Sequence, residues 1–157
     1  ILMRFLEARF PFTNMVVLVQ KEVGDRLAAK PANKDYGALS VAVQFHCHVE
    51  KVANVSRNVF LPRPNVDSAI IRLSRHHEPP VQVKDEDFFF QVVKAAFAQR
   101  RKTLMNNLLQ RFYDRKDRDH LGALLNASGI DPIRRGETLS IAEFAALSEA
   151  LQQDLLS

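Results

Sequence analysis

The sequence predicts an α+β chain, with strands in its first half and only helices in its second. Three observations predict it. A valine-rich run at residues 14 to 20 and a strictly alternating run at residues 39 to 49 carry strand patterns. From about Asp85 onward the apolar spacing is helical, and no strand pattern returns. The pair Pro79 and Pro80 stands between the two regimes and marks a boundary, so residues 1–80 and 81–157 read as separate domains.

Taken in order, "ILMRFLEARF" places Ile1, Leu2, Phe5 and Leu6 on one helical face, and Pro11 ends that helix near residue 9. No methionine stands at position 1 and no capping residue precedes the helix, which predicts a chain cut inside or just before it. "NMVVLVQ" reads as a strand buried on both faces, the habit of parallel sheets. Residues 21 to 30 form a weaker helix with Gly24 inside, and residues 31 to 37 a loop. Leu39, Val41, Val43, Phe45, Cys47 and Val49 alternate with more polar neighbours, as in a strand with one buried face. Pro62 and Pro64 cannot donate to a ladder, so they belong to a fixed extended loop before the strand "VDSAIIRL". His76 and His77 read as a solvated turn. One helix is expected from 85 to 109 and a second from 118 to 127, closed by Gly129. A last helix starts at Ser140, where "SIAE" makes a capping box with Glu143.

The 157 residues suit one ordinary domain or two small ones. No apolar run approaches the roughly 18 residues of a membrane span. The single cysteine, Cys47, excludes an internal disulfide and fits a reducing compartment. No secretory signal is visible. His46 and His48 share a face of the expected strand, yet no carboxylate or thiol supports a metal there. The five glycines lie far apart, so neither a dinucleotide fingerprint nor a P-loop can be built from them.

The formal net charge of +4 is unevenly spread. Between Gln99 and Arg118 seven cations face two acids, whereas from Gly136 onward there are four acids and no cation. A basic patch beside an acidic tail points to a polyanion for one surface, or to a solvated charged helix. Arg100 is the puzzle. On a continuous helix it falls at the centre of a stripe formed by Phe89, Val93, Ala96, Phe97, Leu104 and Leu108, where an arginine requires a partner. In "VFLPRPNVDS" Phe60 beside a proline-stiffened loop is either a stacking platform for a flat base or a core residue.

Five stretches occur together and in order: "LVQKEVGDRLAAKP", "DYGALSVAVQFHCHVEKV", "VFLPRPNVDSAIIRL", "AFAQRRKTLMNNL" and "GIDPIRRGETLSIAEF". With them nearly the whole chain resembles the second half of the bacterial small-subunit ribosomal RNA adenine dimethyltransferases. "FLPRP-VDS" alone also fits the erythromycin-resistance methylases of large-subunit rRNA, and the last two stretches favour the small-subunit enzymes.

The resemblance implies the last strands and helices of a Rossmann-like class I methyltransferase domain, followed by a small all-α C-terminal domain. It implies S-adenosylmethionine-dependent dimethylation of N6 on two adjacent adenosines in the 3′-terminal hairpin of small-subunit rRNA. The partner is then the rRNA within a 30S precursor, and the protein a cytoplasmic monomer. The donor-binding loop and the Asn-Leu-Pro-Tyr motif would lie upstream of Ile1, leaving this chain without catalytic, cofactor or metal residues. Phe60, Pro62 and Pro64 would supply one wall of the target-base pocket, since the base must leave its stack to react. Arg100, Arg101, Lys102, Arg111, Arg115, Lys116, Arg134 and Arg135 would contact phosphates. Arg100 would also pair with Asp67 or Glu22 where the two domains meet. The alternatives are a non-catalytic rRNA-binding or ribosome-assembly module and a large-subunit adenine methylase.

Overall fold

A computed structural model describes residues 1–8 and 11–157. Among them are helices α1 (Leu2–Glu7), α2 (Lys21–Ala28), α3 (Ala38–His46), α4 (Glu86–Ala96), α5 (Leu104–Phe112), α6 (Arg118–Ala127) and α7 (Ile141–Leu156). The strands are β1 (Asn14–Gln20), β2 (Cys47–Val55) and β3 (Ser68–Arg75). Two compact units result. The first holds Ile1–Lys30 and Leu39–Pro79, and the second holds Pro31–Ala38 and Pro80–Ser157. The loop at 31–38 therefore packs within the helical unit although both of its neighbours belong to the sheet unit.

The sheet has the order β1-β3-β2, and both pairings are antiparallel. Ala69, Ile71 and Leu73 of β3 share a core with Leu6 of α1, Leu27 of α2, Val43 of α3 and Cys47. Two expectations for β1 fail. Among the described residues its ladder runs antiparallel, from Asn14 opposite Ser74 to Gln20 opposite Ser68. It is not buried on both faces: Met15, Val17 and Val19 pack on the core, while Val16 and Leu18 remain 63% and 54% exposed. The unit's helices cover one face of the sheet, so a valine-rich run is compatible with one wet side.

The alternating segment 39–49 is not a single strand. Its first part is α3, and β2 begins only at Cys47. No residue of α3 is fully exposed, and its buried residues Ser40, Val41, Val43 and Phe45 occupy more than one side. An alternating pattern does not distinguish strand from helix when every face is covered. Ser40 and Gln44, one helical turn apart, explain the outcome. The Ser40 hydroxyl donates to the Arg26 carbonyl, and Gln44 Nε2 donates to the carbonyls of Leu27 at 3.0 Å and Ala29 at 2.7 Å. These oxygens at the end of α2 would otherwise lack partners. His46 and His48 accordingly sit on different elements. His76 is half-buried and donates through Nε2 to the Gln44 carbonyl at 3.0 Å, so it is not a solvated turn.

In the helical unit α4 packs on α5 and α7, and α6 on α5 and α7. Phe89, Val92, Leu104, Leu108, Leu121, Leu125, Phe144, Leu147 and Leu151 are fully buried among these helices. Asp85 caps α4 by accepting from Phe88 N, and Gly129 at φ 76° follows α6 in the left-handed region that glycine adopts freely. Ser140 and Glu143 form the expected capping box at α7. The expected helix 85–109 is instead two helices, α4 and α5, separated by residues 97–103.

Gly24 lies where α2 crosses the sheet, and a Cβ there would stand 2.9 Å from Ala69 Cβ and 3.1 Å from Ile71 Cδ1. The helix-propensity gain of Gly24→Ala is about 1 kcal/mol, against an overpacking cost of ~1–3 kcal/mol on a stiff strand atom. Gly24→Ala should therefore lower the urea midpoint, and adding Ala69→Gly should recover part of the loss.

Candidate nucleic-acid interface

The break between α4 and α5 resolves the question of Arg100. Thr103 caps α5, its hydroxyl oxygen accepting from Asn106 N at 3.3 Å. Asn107, 2% exposed, reaches back from α5 to the end of α4. Its Nδ2 donates to the carbonyls of Ala96 at 3.0 Å and Gln99 at 3.1 Å. The intervening turn lifts Arg100, Arg101 and Lys102 off the apolar stripe, and all three are exposed. Arg100 has its partners within the helical unit, whereas Asp67 and Glu22 were the expected ones. Its Nε donates to Glu137 at 3.1 Å and its terminal nitrogen donates to the Lys34 carbonyl. Asp67 is bonded to Arg57, and Glu22 to Arg26.

The segment 131–138 wraps this turn. The first backbone N–H groups of α5 need acceptors. Leu104 N donates to the Arg134 carbonyl at 2.7 Å, and Met105 N to the Pro132 carbonyl at 3.3 Å. The two basic motifs, 32 residues apart in the chain, are thereby hydrogen-bonded neighbours. Gly136 lies against the end of α4, where a Cβ would stand 2.7 Å from the Ala96 carbonyl oxygen. The loop 31–38 completes the arrangement. Ala32 N donates to the Glu137 carbonyl at 2.7 Å, and the buried Tyr36 hydroxyl donates to the Leu139 carbonyl at 2.8 Å. Burial pushes the Tyr36 phenol far above its usual range, so it stays a neutral donor.

The eight cations expected at an interface divide into two groups. Arg134 is held inward, donating to both carboxylate oxygens of Glu143, to Thr138 Oγ1 at 3.1 Å and to the Thr138 carbonyl at 2.8 Å. Arg100 is held by Glu137 and Lys34. Arg101, Lys102, Arg115 and Arg135 make no side-chain bond to any described residue. Arg111 makes one long contact, 3.4 Å to Gln91, while its guanidinium lies 4.9 Å over the Phe112 ring. Lys116 stands 3.9 Å from Asp114, both strongly exposed, a pair of negligible strength.

Between α5 and the start of α6 lies a cleft of about 610 Å³ whose walls include Lys102, Asn106, Tyr113, Arg115 and Arg118. It brings Lys102 and Arg115 together across 13 residues of sequence. Arg118 joins them, bonded from Nη1 to Asn106 Oδ1 at 3.0 Å.

In the sheet unit Phe60 ends a 310 turn (Arg57–Val59) whose N-terminus is capped by Ser56. The loop that follows is closed by one ion pair. Asp67 Oδ1 accepts from Arg57 N and Arg57 Nε, both at 3.0 Å, and Arg57 Nη1 donates to the Asn65 carbonyl at 2.6 Å. The backbone N–H of Arg57, then its guanidinium, hold the Asp67 carboxyl below its usual range. Phe60 is half-buried, Pro64 half-buried and Pro62 exposed, while Leu61 is 99% exposed.

The family described as "Ribosomal RNA adenine dimethylase" matches residues 1–147. The chain belongs to that family. Among relatives named "Ribosomal RNA small subunit methyltransferase A", the Geobacillus thermodenitrificans protein is 59% identical over 96% of this chain and 52% of its own length. A Bacillus cereus protein of the same name is 58% identical over 100% of this chain and 54% of its own. The chain thus spans about half the length of the curated relatives it matches. A dimethyladenosine transferase from Plasmodium falciparum shares the fold at TM-score 0.75 and 23% identity, over 98% of this chain and 61% of that one. The structure titled as 23S rRNA methyltransferase ErmE matches at TM-score 0.60 and 25% identity, over 90% and 55%.

For this adenine dimethylase relative, Asn106, Gln110 and Arg118 are cleft residues that the sequence did not single out. Arg118 is one of the seven clustered cations, and only its helix-start position could have separated it from them. Lys34 belongs to a loop whose docking on the helical unit had no sequence signal.

Asn107→Ala removes the amide donor from the buried Ala96 carbonyl, at a cost of about 1–3 kcal/mol, while the Gln99 carbonyl keeps the Lys102 N–H at 3.0 Å. A lowered thermal midpoint with raised hydrogen exchange at residues 97–103 is expected. Glu143 contributes to the pH dependence of stability. The Arg134 guanidinium, and then the Ser140 N–H, hold its carboxyl below the ordinary 4.5. A depressed carboxyl contributes stability above its unfolded value and loses it as pH falls through the folded one. Glu143→Gln should therefore lower stability at neutral pH and flatten the decline in acid, measured by urea titrations from pH 7 to 3.

Proposed function

We propose that this chain is the RNA-gripping half of an S-adenosylmethionine-dependent enzyme that dimethylates N6 of two adjacent adenosines in the 3′-terminal hairpin of small-subunit rRNA. The family match over residues 1–147 carries this reading, and the cluster of unpaired cations around the α4–α5 turn supports it. In this reading the sheet unit is the last part of a Rossmann-like methyltransferase domain, and residues 81–157 are a small helical rRNA-recognition domain. The partner is rRNA within a 30S precursor, met by a monomer in the cytoplasm. Among the described residues no helix is long and apolar enough to cross a membrane.

Arg101, Lys102, Arg111, Arg115, Lys116 and Arg135 contact phosphates. Arg100 and Arg134 shape the surface that presents them. Such contacts set affinity and orientation without reading sequence. Phe60, on the loop clamped by Arg57 and Asp67, stacks on the extruded adenine, with Pro62 and Pro64 fixing the loop's path. A base stack of this kind contributes about 1–3 kcal/mol.

The methyl donor has no fitting cradle among the described residues. A cradle needs several neighbouring glycines that leave backbone open to a ligand; here Gly24, Gly122 and Gly136 lie against Ala69, Met105 and Ala96, Gly129 closes α6, and Gly37, with open space around it, has no second glycine beside it. The activity proposed for this chain by itself is RNA binding.

Filter binding of this chain to the rRNA hairpin across a salt series tests the reading. A steep fall of log K with log salt is expected, and Lys102→Ala should reduce that slope by about 1. A flat salt response would overturn it.

A further inference from the structure

We propose that the cleft between α5 and α6 takes up one unpaired nucleotide of the bound RNA. The proposal rests on the RNA-binding reading and deepens it. A volume of about 610 Å³ is that of a small-ligand site. Its walls combine three kinds of group. Lys102, Arg115 and Arg118 supply positive charge, three cations against one acid, Asp114. Leu109 and Tyr113 supply an apolar side. Asn106 and Gln110 supply carboxamides whose oxygens are already engaged.

That engagement sets the chemistry. Asn106 Oδ1 accepts from Arg118, and Gln110 Oε1 accepts from Gln99 Nε2 at 2.9 Å. Both residues therefore offer NH₂ donors, which suit the ring-nitrogen and carbonyl acceptors on a base edge. Tyr113 is held in place because its hydroxyl donates to Asp154 at 2.7 Å, and Asp154 is also bonded to His120 at 2.7 Å. A fixed wall orders less on binding than a mobile one.

A paired backbone is convex and would leave the apolar side of a concave site empty. A nucleotide turned out of its helix fills it, with its phosphate on the cations and its base against Leu109 and Tyr113. Lys102 belongs both to the cleft and to the exposed turn. The nucleotide is thereby continuous with a strand crossing the unpaired cations, which favours RNA over a free nucleotide.

The test compares a fully paired RNA hairpin with the same hairpin carrying a single-nucleotide bulge. The chain should bind the bulged RNA at least about tenfold more tightly, the size of one base stack. Gln110→Ala/Arg118→Ala should abolish that preference and keep most of the affinity for the paired hairpin, which also reports that the variant is folded. Equal affinity for both hairpins with a steep salt slope overturns the cleft proposal and leaves the RNA reading standing. Absence of salt-dependent RNA binding overturns both. Adenosine monophosphate binding as tightly as the bulged RNA overturns the choice of RNA as the source.

Discussion

The candidate surface depends on one buried carboxamide. Asn107 spans the gap between α4 and α5 and gives both of its amide protons to the chain end it crosses. Taken alone, the apolar spacing from Phe89 to Leu108 fits one continuous helix. Arg100 would then point into the core, and Lys102 to the opposite side. Desolvating an unpaired guanidinium costs far more than two hydrogen bonds return, so a continuous helix is not an accessible alternative. The turn is the arrangement that buries the apolar residues on both sides of it and leaves the cations in water.

Once the turn exists, its surroundings follow from the need to satisfy backbone groups. α5 begins abruptly, so its first N–H groups take the carbonyls of Pro132 and Arg134. That fixes segment 131–138, which brings Glu137 to Arg100 and Arg134 to Glu143. Four of the eight expected cations, Arg101, Lys102, Arg115 and Arg135, have no side-chain partner among the described residues. Exposed pairs contribute little to stability, so these cations cost the fold little either way. Their use lies in the field they make together, which steers a polyanion and is weakened by salt.

Much of this was legible in the sequence, and the failures share a cause. The boundary of α6 at Gly129, the capping box at Ser140 and the regime change at Pro79 and Pro80 are written in local chemistry. The helix at 38–46 was not, because its alternating apolar residues meet neighbours on every side. What decides it is Ser40 and Gln44 reaching the end of α2, a contact between segments that no local pattern encodes. The same holds for Asn107, which looks like any polar residue on a helix until the carbonyls of Ala96 and Gln99 are seen. Likewise, Arg100 needed a carboxylate, and the sequence offered several. Only the docking of 31–38 and 131–138 on one unit selects Glu137 over Asp67.

Phosphate contacts alone cannot make such a protein selective, because every RNA carries the same backbone. Selectivity must come from groups that meet bases, and those groups need stiff supports. Both candidates here have them. The Phe60 loop is closed by charge-assisted bonds from Arg57 to Asp67 and by two prolines, and the Tyr113 wall is held by Asp154. In each case a carboxylate holds the element in place, Asp67 by accepting from Arg57 and Asp154 by accepting from Tyr113. In the proposed reading the cations without side-chain partners, Arg101, Lys102, Arg115 and Arg135, meet the phosphate backbone, and the two supported aromatic groups meet bases.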